Sequence, residues 1–124
     1  MSSITAFINI EAFKKLVAML RSGEYRQIYE QLANEDGFCV KGLMCEAYRL
    51  EFPQDLEWDK SNSRRYKFDG LSVTAPRKVA KYFGLIMVKY DGGRYSLINL
   101  NDAFKLTFYE VANIIENELR EYHN

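Results

Sequence analysis

LIMVKYDGGRYSLINLNDAFKLTFYEVANIIENELREY, Leu85–Tyr122, is the stretch that decides the fold class. Leu85–Tyr90 and Arg94–Leu100 are β-rich runs on either side of Asp91-Gly92-Gly93, a sequence that accepts the positive φ angles of a tight turn, so the spacing predicts a hairpin. A helix start follows. Thr107 and Glu110 stand three apart as a reciprocal capping pair, with Leu106 and Val111 in the hydrophobic-staple positions. Phe108, Val111, Ala112, Ile115, Leu119 and Tyr122 then form one apolar stripe, while Glu116, Glu118, Arg120 and Glu121 fall largely outside it. An apolar stripe next to a hairpin needs a partner surface, and the rest of the chain supplies helices.

Working backwards, Pro76 opens a short helix through Phe83 and Gly84 ends it. Asp69-Gly70 predicts a second hairpin between Arg65–Phe68 and Leu71–Val73. Gln54–Ser63 mixes charged and small polar residues around Trp58 and reads as a surface loop anchored by one aromatic side chain. Val40, Leu43, Met44, Ala47 and Tyr48 repeat at helical spacing up to Glu51, ahead of Pro53. Asn9 caps a first helix from about Ile10 to Ser22, with Phe13, Leu16, Val17 and Leu20 on one face. Tyr25, Ile28, Tyr29 and Leu32 place a further helix between Glu24 and Asn34. Helices, hairpins and a closing helix define an α+β domain, 1–124. In it a small antiparallel sheet of two hairpins has helices packed on one face and a C-terminal helix closing it.

Of the 124 residues, 48% are hydrophobic and 15% aromatic, enough apolar area to offset chain entropy. Seventeen basic residues balance seventeen acidic ones, so the chain lacks the net positive field of a non-specific nucleic-acid binder. Met1–Asn9 carries no basic region followed by an apolar run, and no apolar stretch approaches the ~20 residues of a membrane span. These features predict a cytoplasmic protein with no membrane partner. Cys39 and Cys45 are the only cysteines. On one helix they would stand roughly 9 Å apart along its axis, beyond disulfide reach, so they are expected as reduced, buried packing residues.

Arg21-Ser22-Gly23, Tyr25 and Gln27, then Gly37-Phe38-Cys39, Gly42 and Cys45-Glu46, and finally Leu100-Asn101-Asp102 recur in a recognisable order. In these residues the chain resembles a family of small, mostly uncharacterised proteins encoded by phages, prophages and some bacterial genomes. Its pattern reads R-S-G-x-Y-x-Q, G-[FY]-C-x-x-G-x-x-C-E, a short helix ending in G-L, and L-N-D before a terminal helix. This chain departs from it at Val40, where a second adjacent cysteine is common, and at Ile28, where the family tends to be small and polar. The resemblance implies a fold and a genomic setting, and no mechanism.

Residue types narrow the chemistry. A structural zinc site wants four ligands, whereas this chain has two cysteines and one histidine, His123, so no metal or other cofactor is expected. Cys39 near a helix start could have a lowered thiol pKa, but no histidine base accompanies it. Asn101-Asp102 suits turn capping better than catalysis. Glu35, Asp36 and Glu46 read as solvated surface. Arg64, Arg65 and Lys67 alternate with Tyr66 and Phe68, which fits strand packing. Arg21, Tyr25 and Gln27, together with the Trp58 loop, are the candidate ligand-contacting residues. The expected function is a non-enzymatic accessory or host-interaction protein of phage or prophage type acting through a protein partner. The alternative is a binder of a small, nucleotide-like or signalling molecule. Homodimerisation through an apolar helix face or hairpin edge fits the same sequence.

Overall fold

Asn9 anchors the start of the first helix twice over. Its side chain accepts a hydrogen bond from Ala12 N (3.1 Å) to cap α1, Ile10–Arg21, and donates one to Tyr82 O (3.0 Å). A computed structural model describes residues 8–84 and 87–121. After α1 come β1 (Ala33–Asn34), β2 (Gly37–Phe38), α2 (Val40–Glu51), β3 (Trp58–Asp59), β4 (Lys67–Phe68) and α3 (Arg77–Phe83). The chain continues with β5 (Val88–Tyr90), β6 (Gly93–Tyr95), a π-helical turn at Asn99–Ala103 and α4 (Phe108–Arg120). This is an α+β fold with a C-terminal helix. Among the described residues the strands form three separate two-stranded antiparallel ladders, β1–β2, β3–β4 and β5–β6.

α1 is the central element, packing on α4, α2 and α3. Its Phe13, Leu16 and Leu20 are essentially inaccessible, as are Leu43 of α2, Phe83 of α3 and Val111 and Ile115 of α4. Phe13 and Phe83 meet edge to face at 5.0 Å. The capping box predicted at the start of α4 is present in both directions, Glu110 N to Thr107 Oγ1 at 3.1 Å and Thr107 N to Glu110 Oε1 at 2.8 Å. Asp69-Gly70 and Asp91-Gly92 take positive φ at both positions, as tight turns require, and the second closes β5–β6. Past the first only Leu71 pairs back, with Phe68, and β4 takes β3 as its ladder partner in place of the expected Leu71–Val73.

Several local readings are corrected. Glu24–Asn34 is not a helix. Its backbone bonds run outward, Ile28 N to Phe38 O (2.9 Å) and Leu32 N to Ser72 O (2.8 Å), so the segment lies alongside β2 and the 70s loop. The strand expected to reach Leu100 stops at Tyr95, because Ser96 turns the chain into helical geometry through its hydroxyl and Asn99 N (3.3 Å). Gln54–Ser63 holds a short strand rather than loop alone, and Trp58 in it is buried against its cross-strand partner Phe68. Glu118, expected outside the α4 stripe, is only 3% exposed. Its carboxylate accepts from Arg94 (2.7 Å) and Lys89 N (3.2 Å), fastening the β5–β6 hairpin to α4. Tyr122 and His123, and the Leu85–Ile86 part of the predicted strand, lie outside the described residues.

Candidate functional site

The site grows from Gly37-Phe38. β2 has β1 on one side and the Arg26–Ile28 segment on the other, with Phe38 N donating to Arg26 O at 2.9 Å. Only glycine fits before Phe38, since a Cβ on Gly37 would fall 2.1 Å from Arg26 O. Phe38 is thereby held half-buried between Tyr25, edge-on at 5.6 Å, and Trp58, edge-on at 5.8 Å. The 57–66 segment closes the other side, docked by Tyr66 N to Ala33 O (2.9 Å) and Glu35 N to Ser63 O (2.9 Å). Tyr25, Phe38, Trp58 and Tyr66 make a continuous aromatic seam.

Two open hollows lie along this seam and share Phe38 and Lys60. One, about 460 Å³, is walled by Tyr25 and Tyr66 with Glu24, Glu35 and Asp36 at its edge. The other, about 400 Å³, is walled by Trp58, Glu46, Arg49 and Glu57. Glu46 is the fixed point of the second hollow. Expected as solvated surface, it is 9% exposed and accepts from Trp58 Nε1 (2.9 Å), Arg49 Nε (2.9 Å) and Arg49 Nη2 (2.7 Å).

The surroundings move each pKa further from neutral pH. Burial works against ionising Glu46, yet hydrogen bonds from Arg49 and Trp58 and the charge of Arg49 together outweigh it and lower its pKa. The hydrogen bond to Glu46 raises that of Arg49. Burial, then the charges of Glu46 and Glu24, raise that of the Tyr25 phenol. At neutral pH the seam presents a phenol donor, fixed carboxylates and ring faces.

The candidate residues read from the sequence separate into two groups. Tyr25 and Trp58 come together on opposite sides of Phe38. Arg21 is committed elsewhere, to Glu116 (3.0 and 3.2 Å) and Asn113 (2.6 Å) across the α1–α4 contact. Gln27 points inward and donates to Asn101 Oδ1 and Leu106 O, both at 2.8 Å. Asn101, 1% exposed, also accepts from Val40 N (3.3 Å) and donates to Ile28 O (3.1 Å) and Asp102 Oδ1 (2.7 Å), so it joins three segments of chain. Asp102 in turn accepts from Glu30 N at 3.0 Å. Cys39 and Cys45 are buried and reduced. Cys39 Sγ accepts from Gly42 N (3.3 Å) as the cap of α2, and burial pushes its thiol up to about 11. Burial raises Cys45 as well.

Sequence reasoning did not select Phe38, Glu46, Arg49, Lys60 or Tyr66. The Glu46–Arg49 pair was readable as an i, i+3 helical pair. Only the fold brings Lys60 and Tyr66 beside it.

A family model described as Domain of unknown function (DUF8296) matches residues 8–119. The chain belongs to this family. No match to it was found among curated proteins or among solved structures. The matched span takes in every element of the DUF8296 chain from α1 through nearly all of α4, the aromatic seam included. Among the described residues, no helix is long and apolar enough to cross a membrane.

Proposed function

We propose that this DUF8296 protein is a non-enzymatic accessory or host-interaction protein of phage or prophage type, working in the cytoplasm by binding a protein partner at the Phe38 seam. The observation that carries the reading is the two hollows meeting at Phe38 and Lys60, floored by aromatic rings and rimmed by charge. Tryptophan, tyrosine and arginine dominate the energetics of protein interfaces, and here Trp58, Tyr25 and Arg49 stand together. The hollows are open, which suits side chains of a partner better than a small molecule that must be enclosed to bind tightly. The direction of the pKa shifts also favours binding. A general acid or base works best with a pKa near the operating pH, whereas Glu46 is moved down and Tyr25 and Cys39 are moved up.

The test is affinity capture of the tagged chain from host lysate, beside a Tyr25→Ser variant, with mass spectrometry of proteins and of small molecules released by heating. The proposal expects a stoichiometric protein that the wild type retains and the variant loses. Recovery of a reproducible metabolite without a protein would replace this reading with small-ligand binding at Tyr25 and Trp58.

A further inference from the structure

We propose that the hollow between Tyr25 and Tyr66 receives an arginine side chain from a basic segment of the partner. The inference rests on the protein-binding reading above and adds the partner's chemistry. Its first support is a local charge imbalance. The whole chain is neutral, with 17 basic and 17 acidic residues, yet the two hollows together are lined by five carboxylates and three cations. The hollow between Tyr25 and Tyr66 is itself lined by three carboxylates, Glu24, Glu35 and Asp36, against two cations, Arg26 and Lys60. Among the described residues the three carboxylates are exposed and none of the five enters an ion pair, which leaves one net negative charge. Glu46, by contrast, is already satisfied by Arg49 and Trp58. Uncommitted carboxylates at a rim favour a partner of positive charge and repel one of negative charge.

The second support is the aromatic lining. Tyr25, Phe38 and Tyr66 face the hollow, and aromatic faces attract cations. The chain supplies its own example: Lys60 Nζ lies 5.5 Å from the Tyr66 ring centroid at the edge shared by both hollows. Arginine fits better than lysine because its planar guanidinium stacks on a ring while its fork of N–H donors meets carboxylates at the edge. A volume of about 460 Å³ holds such a side chain and leaves the rest of the segment along the rim.

Trp58 is the chain's single tryptophan and packs against Phe38 and Tyr66, which line the hollow, so its emission reports occupancy through those two rings. The full chain is titrated with three short peptides of equal length, alternating glycine with arginine, lysine or glutamate. The arginine peptide should change Trp58 emission saturably and bind more tightly than the lysine peptide, and the glutamate peptide should give no saturable change. The double variant Glu35→Gln/Asp36→Asn should weaken the arginine peptide by roughly fivefold to tenfold, the size of two rim ion pairs. Salt near 1 M, where screening acts beyond ~3 Å, should weaken it further. Unchanged affinity in the double variant, tighter binding of the glutamate peptide, or no saturable signal from the arginine peptide would each overturn the inference. So would a Trp58 change that follows protein concentration alone, which would make a second copy the occupant. A captured partner lost with Tyr25→Ser but retained by the double variant would refute arginine recognition while leaving the protein-binding reading intact. Capture indifferent to both variants would remove both.

Discussion

Gly42→Ala should destabilise this protein, against the expectation from helix propensity. Gly42 lies in the first turn of α2, where alanine is ordinarily better than glycine by about 1 kcal/mol. Here an added Cβ would sit 1.9 Å from Leu32 O and 2.8 Å from Leu32 C, both backbone atoms. Either α2 or the Leu32 backbone must retreat by about 1.5 Å to restore ordinary contact. Leu32 O is the acceptor of Cys39 N at 3.0 Å, and Leu32 N is tied to Ser72 O at 2.8 Å, so neither side yields without losing a buried hydrogen bond. The lost bond costs about 1–3 kcal/mol and the overpacking a similar amount. After the propensity gain, the net loss is about 3 kcal/mol. With a urea m-value of ~1.5 kcal/mol/M, the unfolding midpoint falls by about 2 M. Equilibrium unfolding in urea, followed in parallel by Trp58 emission and far-ultraviolet circular dichroism, measures it. A midpoint equal to or above that of the wild type would refute the close approach of Leu32 to α2.

Other consequences follow from buried groups. Asn101→Ala strips the acceptor from Val40 N and the donor from Ile28 O, and should lower stability by about 3 kcal/mol, seen as a Tm lower by on the order of 10 °C. Glu46 has a folded pKa depressed below its ordinary 4.5, so its contribution is complete above that value and disappears as pH falls through the folded pKa. Urea midpoints from neutral pH down to about pH 3 should therefore drop below pH ~4.5 in the wild type. They should start lower and decline less steeply in Glu46→Gln. Cys39 and Cys45, with thiols raised by burial, should react slowly with an aromatic disulfide at about pH 8 in the folded protein and rapidly in urea.

The helices that the sequence revealed are those whose ends are decided locally. Asn9 and Thr107 cap within three residues, and the stripes of α1, α2 and α4 lie on faces that α1 buries against its neighbours. Glu24–Asn34 failed because Tyr25, Ile28, Tyr29 and Leu32 mimic a helical period, while the backbone hydrogen bonds of Ile28 and Leu32 go to Phe38 and Ser72. No local pattern records a partner so far along the chain. Residues 96–100 failed for a similar reason: β-rich side chains are overridden by Ser96 and by the burial of Asn101 at the junction of three segments. Glu118 was readable after all. It stands three residues after Ile115 and seven after Val111, on the buried face. For the site, Tyr25 was legible from the motif it shares with Arg21 and Gln27, and Trp58 as the one aromatic anchor of a polar stretch. Their meeting over Phe38 was not, because it depends on Gly37 admitting Arg26 O. Arg21 and Gln27 shared a motif with Tyr25, but their bonds to α4 and to Asn101 and Leu106 give them a part in holding the fold.

A partner seated on the Phe38 seam would shield the amides of the segments that build it. Amide hydrogen exchange of the chain alone and in complex with the protein it captures tests this most directly. Exchange should slow only in residues 24–38 and 57–66, with the α1–α4 face unchanged. Protection centred on α1 and α4, with residues 24–38 exchanging as in the free protein, would contradict it.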